Sequence, residues 1–476
     1  MGRQRFVRQV ARTVGLTNTQ QARGGSAQRN RERKSAAAGS EARDLAHRLI
    51  AGVLIDQRPF EQVLADLTDR PKAAALEPRD RAFARNLATT VLRRQGELEH
   101  VLNAFLERPL PKEAGRVRVI LLTAAAQLMC LGTPPHAAVD MAVEAVRRDR
   151  GGARFANLTN AILRRVADKG AALLQDEDCA ALNVPAWIRE HWSSAYGADV
   201  ARQIANASLK AAALDLSLKP GASAQEWAER LGGQVLPTGS IRVAAHGRVE
   251  DLPGYHDGDW WVQDAAAALV ARVAGNVAGR TVADLCAAPG GKTAGLAAAG
   301  AHVTAVDVSP KRLERLNANL QRLGLSAEVI AADAASWAPQ RVFDAVILDA
   351  PCTATGTIRR HPDILRLKRP EDIGRMTDLQ RRLLANAARL VQPGGTLVYS
   401  TCSLEPEESE RQIEAFLGAN PGFGRVPIAA NELGAESFWI TAAGDLRTLP
   451  HYLDLAPPEL SGIDGFYVAR LRRHTG

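Results

Sequence analysis

The stretch "TVADLCAAPGGKT", residues 281–293, decides the fold. Its first half is a short apolar run of strand length. Its second half is a turn: Gly290 and Gly291 let the backbone approach a ligand, and the helix start that follows offers free N–H groups. The turn is not GxGxxG, which argues against a dinucleotide site. It is not GxxxxGK[ST] either, because only Gly290 and Gly291 precede Lys292, which argues against a phosphate-cradling loop.

Further apolar runs follow at 302–308 ("HVTAVDV"), 328–333 ("EVIAAD"), 343–350 ("FDAVILDA") and 396–402 ("TLVYSTC"), with helical segments such as 310–324 between most of them. That alternation predicts an α/β fold with a doubly wound, largely parallel sheet. Ligands on such sheets bind at the carboxyl ends of the strands. Asp284, Asp307, Asp333, Asp349, Cys352 and Cys402 all fall at or just after those ends. A whole row of such residues reads as one site. Asp307 is placed to accept from ribose hydroxyls, and Asp333 to meet an adenine amino group. Ribose and adenine without a pyrophosphate loop point to S-adenosylmethionine, with a dinucleotide as the alternative.

Upstream, residues 41–168 read as an α-helical N-terminal domain, with Leu45, Leu49 and Val53, then Leu87 and Val91, at helical spacing. The end of this region carries Arg147, Arg148, Arg150, Arg154, Arg164 and Arg165. Two readings stay open for them, a solvated helix face or a phosphate-contacting RNA patch. Residues 169–250 read as a small α+β linker domain, whose Trp187, Trp192 and Tyr196 are expected in a core. The catalytic domain is expected over 251–476.

Composition bounds these readings. The 476 residues are 46% hydrophobic and 24% charged, ordinary for a globular chain. The best apolar run, from Val119, is short and interrupted by Gln127, so no membrane span is expected. Five cysteines without CxxC spacing argue against a metal site and for free thiols in a reducing, cytoplasmic setting. The net charge of +8 lies entirely in residues 1–40, where eight arginines and Lys34 face Glu32. The remainder sets 51 of the 60 basic residues against 51 of the 52 acidic ones. The first forty residues are therefore expected to be a disordered basic tail: a solubilising extension, an RNA arm or an organellar transit peptide.

Four stretches, "DLCAAPGGKT", "VILDAPCTATGTIRRHPDI", "GGTLVYSTCSLEPEE" and "GIDGFYVARL", resemble the bacterial 16S rRNA cytosine-5 methyltransferases of the Fmu/Sun, or RsmB-like, type. "RDRAFARNLATTVLRR", "TPPHAAVDMAVEAVRR" and "NAILRR" resemble the NusB-like helical domain that precedes the catalytic domain in that group. The resemblance implies a Rossmann-like sheet of the class I S-adenosylmethionine-dependent methyltransferases. It implies a cofactor site lined by Cys286, Ala287, Ala288, Pro289, Gly290, Gly291, Lys292, Asp307, Asp333 and Asp349. It implies Cys402 as nucleophile and Cys352 as the residue that assists product release. The implied substrate is ribosomal RNA, naked or early in assembly, methylated at a cytosine of the 967 type. The expected protein is a monomer acting on neither DNA nor a membrane.

Chemistry explains why two thiols are needed. Carbon 5 of cytosine is a poor nucleophile until a thiolate adds to carbon 6. An acid at N3, a role that suits Asp349, eases that addition. A base must later remove the carbon-5 proton. The residues alone leave the assignment open: Pro351-Cys352 favours Cys352, while the resemblance favours Cys402. Ser403 and Pro406 read as a helix start that would lower the Cys402 pKa, opposed by Glu405, Glu407 and Glu408. Cys286 is expected to matter through its backbone. Arg359 and Arg360 are expected to meet phosphates. The alternatives are a transfer-RNA substrate, a non-catalytic RNA-binding adaptor and an NAD-dependent oxidoreductase.

Overall fold

The computed structural model describes residues 39–70, 75–111, 114–244 and 247–475, so the basic tail lies outside the described residues except for Gly39 and Ser40. The chain divides into two compact units. One runs through Val91 and resumes over Leu98–Leu173; the other holds Leu92–Glu97 and everything from Leu174.

The first unit is helical. A helix over 39–54 is followed by Phe60–Thr68, Pro78–Arg93, Val117–Met129, Pro135–Arg148 and Ala156–Lys169. Val117–Met129 is the apolar run anticipated as a buried helix, and most of its residues are buried. Its one amide is satisfied there: Gln127 accepts from Arg43 Nε at 2.7 Å. Pro135–Arg148 buries Ala138, Val139, Ala142 and Val146 on one stripe, which leaves Arg147 and Arg148 exposed at its carboxyl end. Among the described residues no helix is long and apolar enough to cross a membrane.

The second unit includes helices Cys179–Asn183, Ala186–Tyr196 and Ala198–Ser208. A small antiparallel sheet follows: β1 (Leu214–Leu218), β2 (Gln234–Val235), β3 (Ile241–Val243) and β4 (Trp260–Val262), in the order β2-β3-β1-β4. A buried ion pair, Arg242 Nε to Asp215 at 2.6 Å, crosses from β3 to β1. Trp192 is fully buried, and the Tyr196 hydroxyl donates to the Leu404 carbonyl at 2.6 Å, so these aromatics are core as anticipated.

The large sheet has eight strands: β5 (Thr281–Leu285), β6 (His302–Asp307), β7 (Glu328–Ala331), β8 (Phe343–Asp349), β9 (Val391–Thr401), β10 (Phe423–Arg425), β11 (Leu446–Thr448) and β12 (Phe466–Arg473). Its order is β10-β12-β9-β8-β5-β6-β7, with β11 also on β12. Strands β5 to β9 pair in parallel, whereas β10, β11 and β12 are antiparallel. The period of two divides the central strands between two faces. Ala345, Ile347 and Val398 face helix Ala265–Val273; Val346, Leu348 and Tyr399 face Pro370–Leu390. The chain leaves β5 toward β6 and β7, then returns to build β8 and β9 on the other side. The switch point therefore lies between β5 and β8, where ligand crevices open in such sheets.

Candidate active site

Register brings the site together. Asp349, ending β8, pairs with Ser400 near the end of β9, so the residues just beyond each strand come side by side. The Sγ atoms of Cys352 and Cys402 lie 3.4 Å apart, within hydrogen-bonding reach and well beyond the ~2.05 Å of a disulfide. The loops that carry them are stitched by backbone bonds: Ala350 N–H donates to the Ser400 carbonyl at 2.8 Å, and Gly356 N–H to the Cys402 carbonyl at 2.9 Å. Gly356 N–H can approach because residue 356 has no side chain; a Cβ there would sit 2.0 Å from the Gly465 carbonyl.

Asp349 is fixed from two sides. Lys292 Nζ donates to Oδ2 at 2.6 Å and Ser400 Oγ to Oδ1 at 3.1 Å. Burial opposes the Lys292 charge, but Asp349, Asp284 and the Cys402 sulfur outweigh it and hold the ammonium above its ordinary pKa. The Cys352 thiol is pushed well up by its hydrogen bond to Cys402 and by burial, so it keeps its proton.

Of the expected cofactor residues, the 286–292 loop is tied to Asp307 through Ala288 and to Asp349 through Lys292. Asp307 is buried at the end of β6; Oδ2 accepts from Ala288 N–H at 3.1 Å and Oδ1 from Ser309 N–H at 3.0 Å. Arg312 pairs with it at 3.3 Å. Cys286 adopts φ +60°, and burial with the nearby carboxylates pushes its thiol up to about 12, so its sulfur is inert at neutral pH. Ala287 and Ala288 are buried, Pro289 is exposed, and Gly290 has φ +101° at the start of helix Gly291–Ala298. A Cβ on Gly290 would press against Leu316 at 2.8 Å. Asp333 lies two residues beyond β7, exposed, capping the turn by accepting from Ala335 N–H at 2.9 Å.

Three readings change. Arg359 is buried, 1% exposed, and donates to the Ser461 carbonyl at 3.0 Å, so no backbone phosphate reaches it at the surface. Arg360 is exposed, but its guanidinium is engaged by Asp464, with Nε at 2.7 Å. Cys402 is not at a helix start. Residues 403–405 are extended, a single 3-10 turn spans Pro406–Glu408, and the helix begins only at Glu410. Pro406 starts that turn, not a helix.

The comparisons with known proteins agree with this geometry. The family described as 16S rRNA methyltransferase RsmB/F matches residues 275–472, and the NusB family matches residues 40–168. A ribosomal RNA small subunit methyltransferase B of Xanthomonas campestris is 36% identical over 92% of this chain and 98% of its own. Its counterpart in Sodalis glossinidius is 35% identical over 91% and 98%. The crystal structure of PH0851 shares the fold, with a TM-score of 0.68 at 23% identity over 91% of this chain and 99% of its own.

The chain belongs to the RsmB/F family of 16S rRNA methyltransferases.

It is thus an enzyme that methylates ribosomal RNA, with S-adenosylmethionine as its methyl donor. The residues present fit that cofactor. Both cations of the cofactor loop region are already paired, Lys292 with Asp349 and Arg312 with Asp307, which disfavours a pyrophosphate. Asp307 and Asp349, each paired with a cation, instead offer carboxylate oxygens that suit hydroxyl groups and a sulfonium. Helix Gly291–Ala298 has no side-chain cap on its first N–H groups.

Sequence reasoning missed the residues behind the thiols. Glu408, read only as a repulsive charge, is buried and binds both cysteine loops. Ser400, Thr353, Ser403 and Gln380 join it. Nothing in the periodicity marks them, since a lone acid in a polar loop looks solvated until the fold closes over it.

Proposed function

We propose that this chain methylates carbon 5 of a cytosine in 16S rRNA, at a site of the 967 type, through a covalent adduct on Cys402. The observation that supports the reading best is the pair of thiols 3.4 Å apart beside a carboxylate held by a lysine. One sulfur can bond the ring while the other handles a proton. The assignment of Cys402 as the attacking sulfur follows the resemblance of its Thr401-Cys402 motif to that of the family.

Cys286 to Lys292, Asp307, Asp333 and Asp349 would line the cofactor crevice. S-adenosylmethionine bound there supplies the methyl group as an electrophilic sulfonium carbon. The Cys402 thiolate adds to carbon 6 and turns carbon 5 into a nucleophile. Asp349, carrying a proton, would donate it to N3 as the thiolate adds and take it back when the sulfur leaves. Once its sulfur is bonded to carbon, Cys402 no longer bears the hydrogen bond that raises the Cys352 pKa. Cys352 then gives up its own proton to solvent and, as the thiolate, takes the proton from carbon 5; the C–H electrons restore the 5,6 double bond as the Cys402 sulfur leaves carbon 6 as a thiolate. The base must leave its stack to reach these groups, so an unpaired segment of naked or early-assembly RNA is the better substrate. Arg147, Arg148 and Arg150 would contact its backbone.

A denaturing gel tests the reading. Cys352→Ala, incubated with RNA and S-adenosylmethionine, is expected to accumulate a protein–RNA adduct; Cys402→Ala is expected to lose turnover and form none. An adduct in Cys402→Ala alone reverses the roles. Unchanged turnover in both variants rejects the covalent mechanism.

A further inference from the structure

Glu408 is fully buried beside the thiol loops. Its two oxygens accept four hydrogen bonds. Oε1 takes the Thr353 N–H at 2.9 Å and Gln380 Nε2 at 3.1 Å. Oε2 takes the Ser403 hydroxyl at 2.5 Å and the Thr353 hydroxyl. The two hydroxyls also meet each other at 3.1 Å. Thr353 directly follows Cys352, and Ser403 directly follows Cys402. One carboxylate therefore grips the residue after each thiol. Gln380 adds a third tie, because its Nε2 also donates to the Pro351 carbonyl at 2.8 Å, on the other side of Cys352. The glutamate is anchored in turn by its backbone, whose carbonyl accepts from the Tyr399 hydroxyl at 2.7 Å.

We infer that Glu408 is a positioning residue that sets the spacing of Cys352 and Cys402, so that one sulfur attacks while the other stays within reach of the proton to be removed. The inference rests on the two-cysteine reading above. Backbone bonds alone do not do this. The Ala350 and Gly356 bonds lie outside Cys352, before and after it, and leave the Cys352–Thr353 segment to be fixed by side chains. Oε1 must remain an acceptor, since the Thr353 N–H and Gln380 Nε2 that meet it can only donate. Burial pushes the Glu408 carboxyl up, against the hydrogen bonds that favour its charged form, so the clamp is weakest when protonated.

The test uses the full chain with Cys130 and Cys179 replaced by serine, and reads spacing directly. Diamide oxidises neighbouring thiols to a disulfide, and peptide mapping identifies the pair. With Glu408→Ala, the rate of Cys352–Cys402 disulfide formation is expected to fall about tenfold and kcat by about 10²-fold, the scale of a 1 Å misplacement, with KM for RNA nearly unchanged. Glu408→Gln keeps the Oε1 acceptor and is expected to restore most of both. Should Glu408→Ala not fold, Ser403→Ala removes a single arm and is read the same way. An unchanged disulfide rate overturns the proposal, as does a Glu408→Gln variant as impaired as Glu408→Ala. The gel with Cys352→Ala is run in parallel. If that variant traps no RNA, the covalent reading falls, while the clamp is still judged by the disulfide rate alone.

Discussion

In the helical unit, basic charge lies outside: Arg147 and Arg150 are exposed, and Arg148 makes an exposed pair with Glu144 at 2.9 Å. In the catalytic unit, charge lies inside: Asp215 with Arg242, Asp284 beside Thr293, and Glu408 behind the thiols are all buried. The difference separates two uses of the same residue types. Surface charges are worth little to stability and are screened by salt, which suits contact with a polyanion. Buried charges are expensive to desolvate, and partners that offset the cost, such as the four donors on Glu408, hold them rigidly. The catalytic unit uses that rigidity to hold acids and thiols at strand ends.

The contrast breaks most easily at Arg242. Its removal leaves Asp215 buried without its partner, so Arg242→Leu is expected to lower stability by about 3–5 kcal/mol. Glu144→Gln in the helical unit is expected to cost under about 0.5 kcal/mol. Denaturant titration of both variants measures the gap, and equal losses would abolish the distinction.

Opposite pH responses sharpen it next. Burial raises the Asp284 carboxyl from 3.8 to about 7. The folded protein keeps a proton that the unfolded chain releases, so this contribution is whole below pH 3.8 and is lost as pH rises to about 7. Burial lowers His47 from 6.5 to about 4. That contribution is whole above pH 6.5 and is lost as pH falls to about 4. At about 1.4 kcal/mol per pH unit, each amounts to a few kcal/mol. Asp284→Asn should therefore gain on the wild type toward pH 8, and His47→Gln toward pH 4, in melts recorded across that range.

A smaller effect is expected at Asp307. Asp307→Ala removes the acceptor for Ala288 and Ser309 as well as the proposed ribose contact, and calorimetry should find S-adenosylmethionine affinity weaker by about 1–3 kcal/mol. The smallest change belongs to the surface. Neutralising Arg147, Arg148 and Arg150 should flatten the dependence of log affinity for RNA on log salt by about 0.7–0.9 per lost phosphate contact. An unchanged slope makes them a solvated face.

What the sequence disclosed follows the same division. Apolar runs such as "FDAVILDA" and the row of acids after them placed the sheet and its ligand edge, because run length and strand ends are local properties. β10, β11 and β12 were not anticipated as antiparallel, since pairing direction depends on partners far along the chain. Arg359 and Arg360 looked like surface cations because nothing near them in sequence announces Asp464 or the Ser461 carbonyl. Glu408 stayed hidden for the same reason: its partners, Thr353 and Gln380, lie 55 and 28 residues away.

The strand order also constrains when the enzyme can begin to work. β12 lies between β9 and β10, yet its residues, 466–473, are translated after every other strand of the sheet. Gly465, immediately before it, donates to the Gly356 carbonyl at 2.8 Å and so braces the loop after Cys352. A nascent chain that has already exposed both cysteines still lacks the strand that flanks one of them and the glycine that supports the other. The helical unit can form early in synthesis, as domains nearer the amino terminus do. The active centre is complete only once β12 and the glycine before it have joined the sheet, so the last strand in chain order is one the site cannot do without.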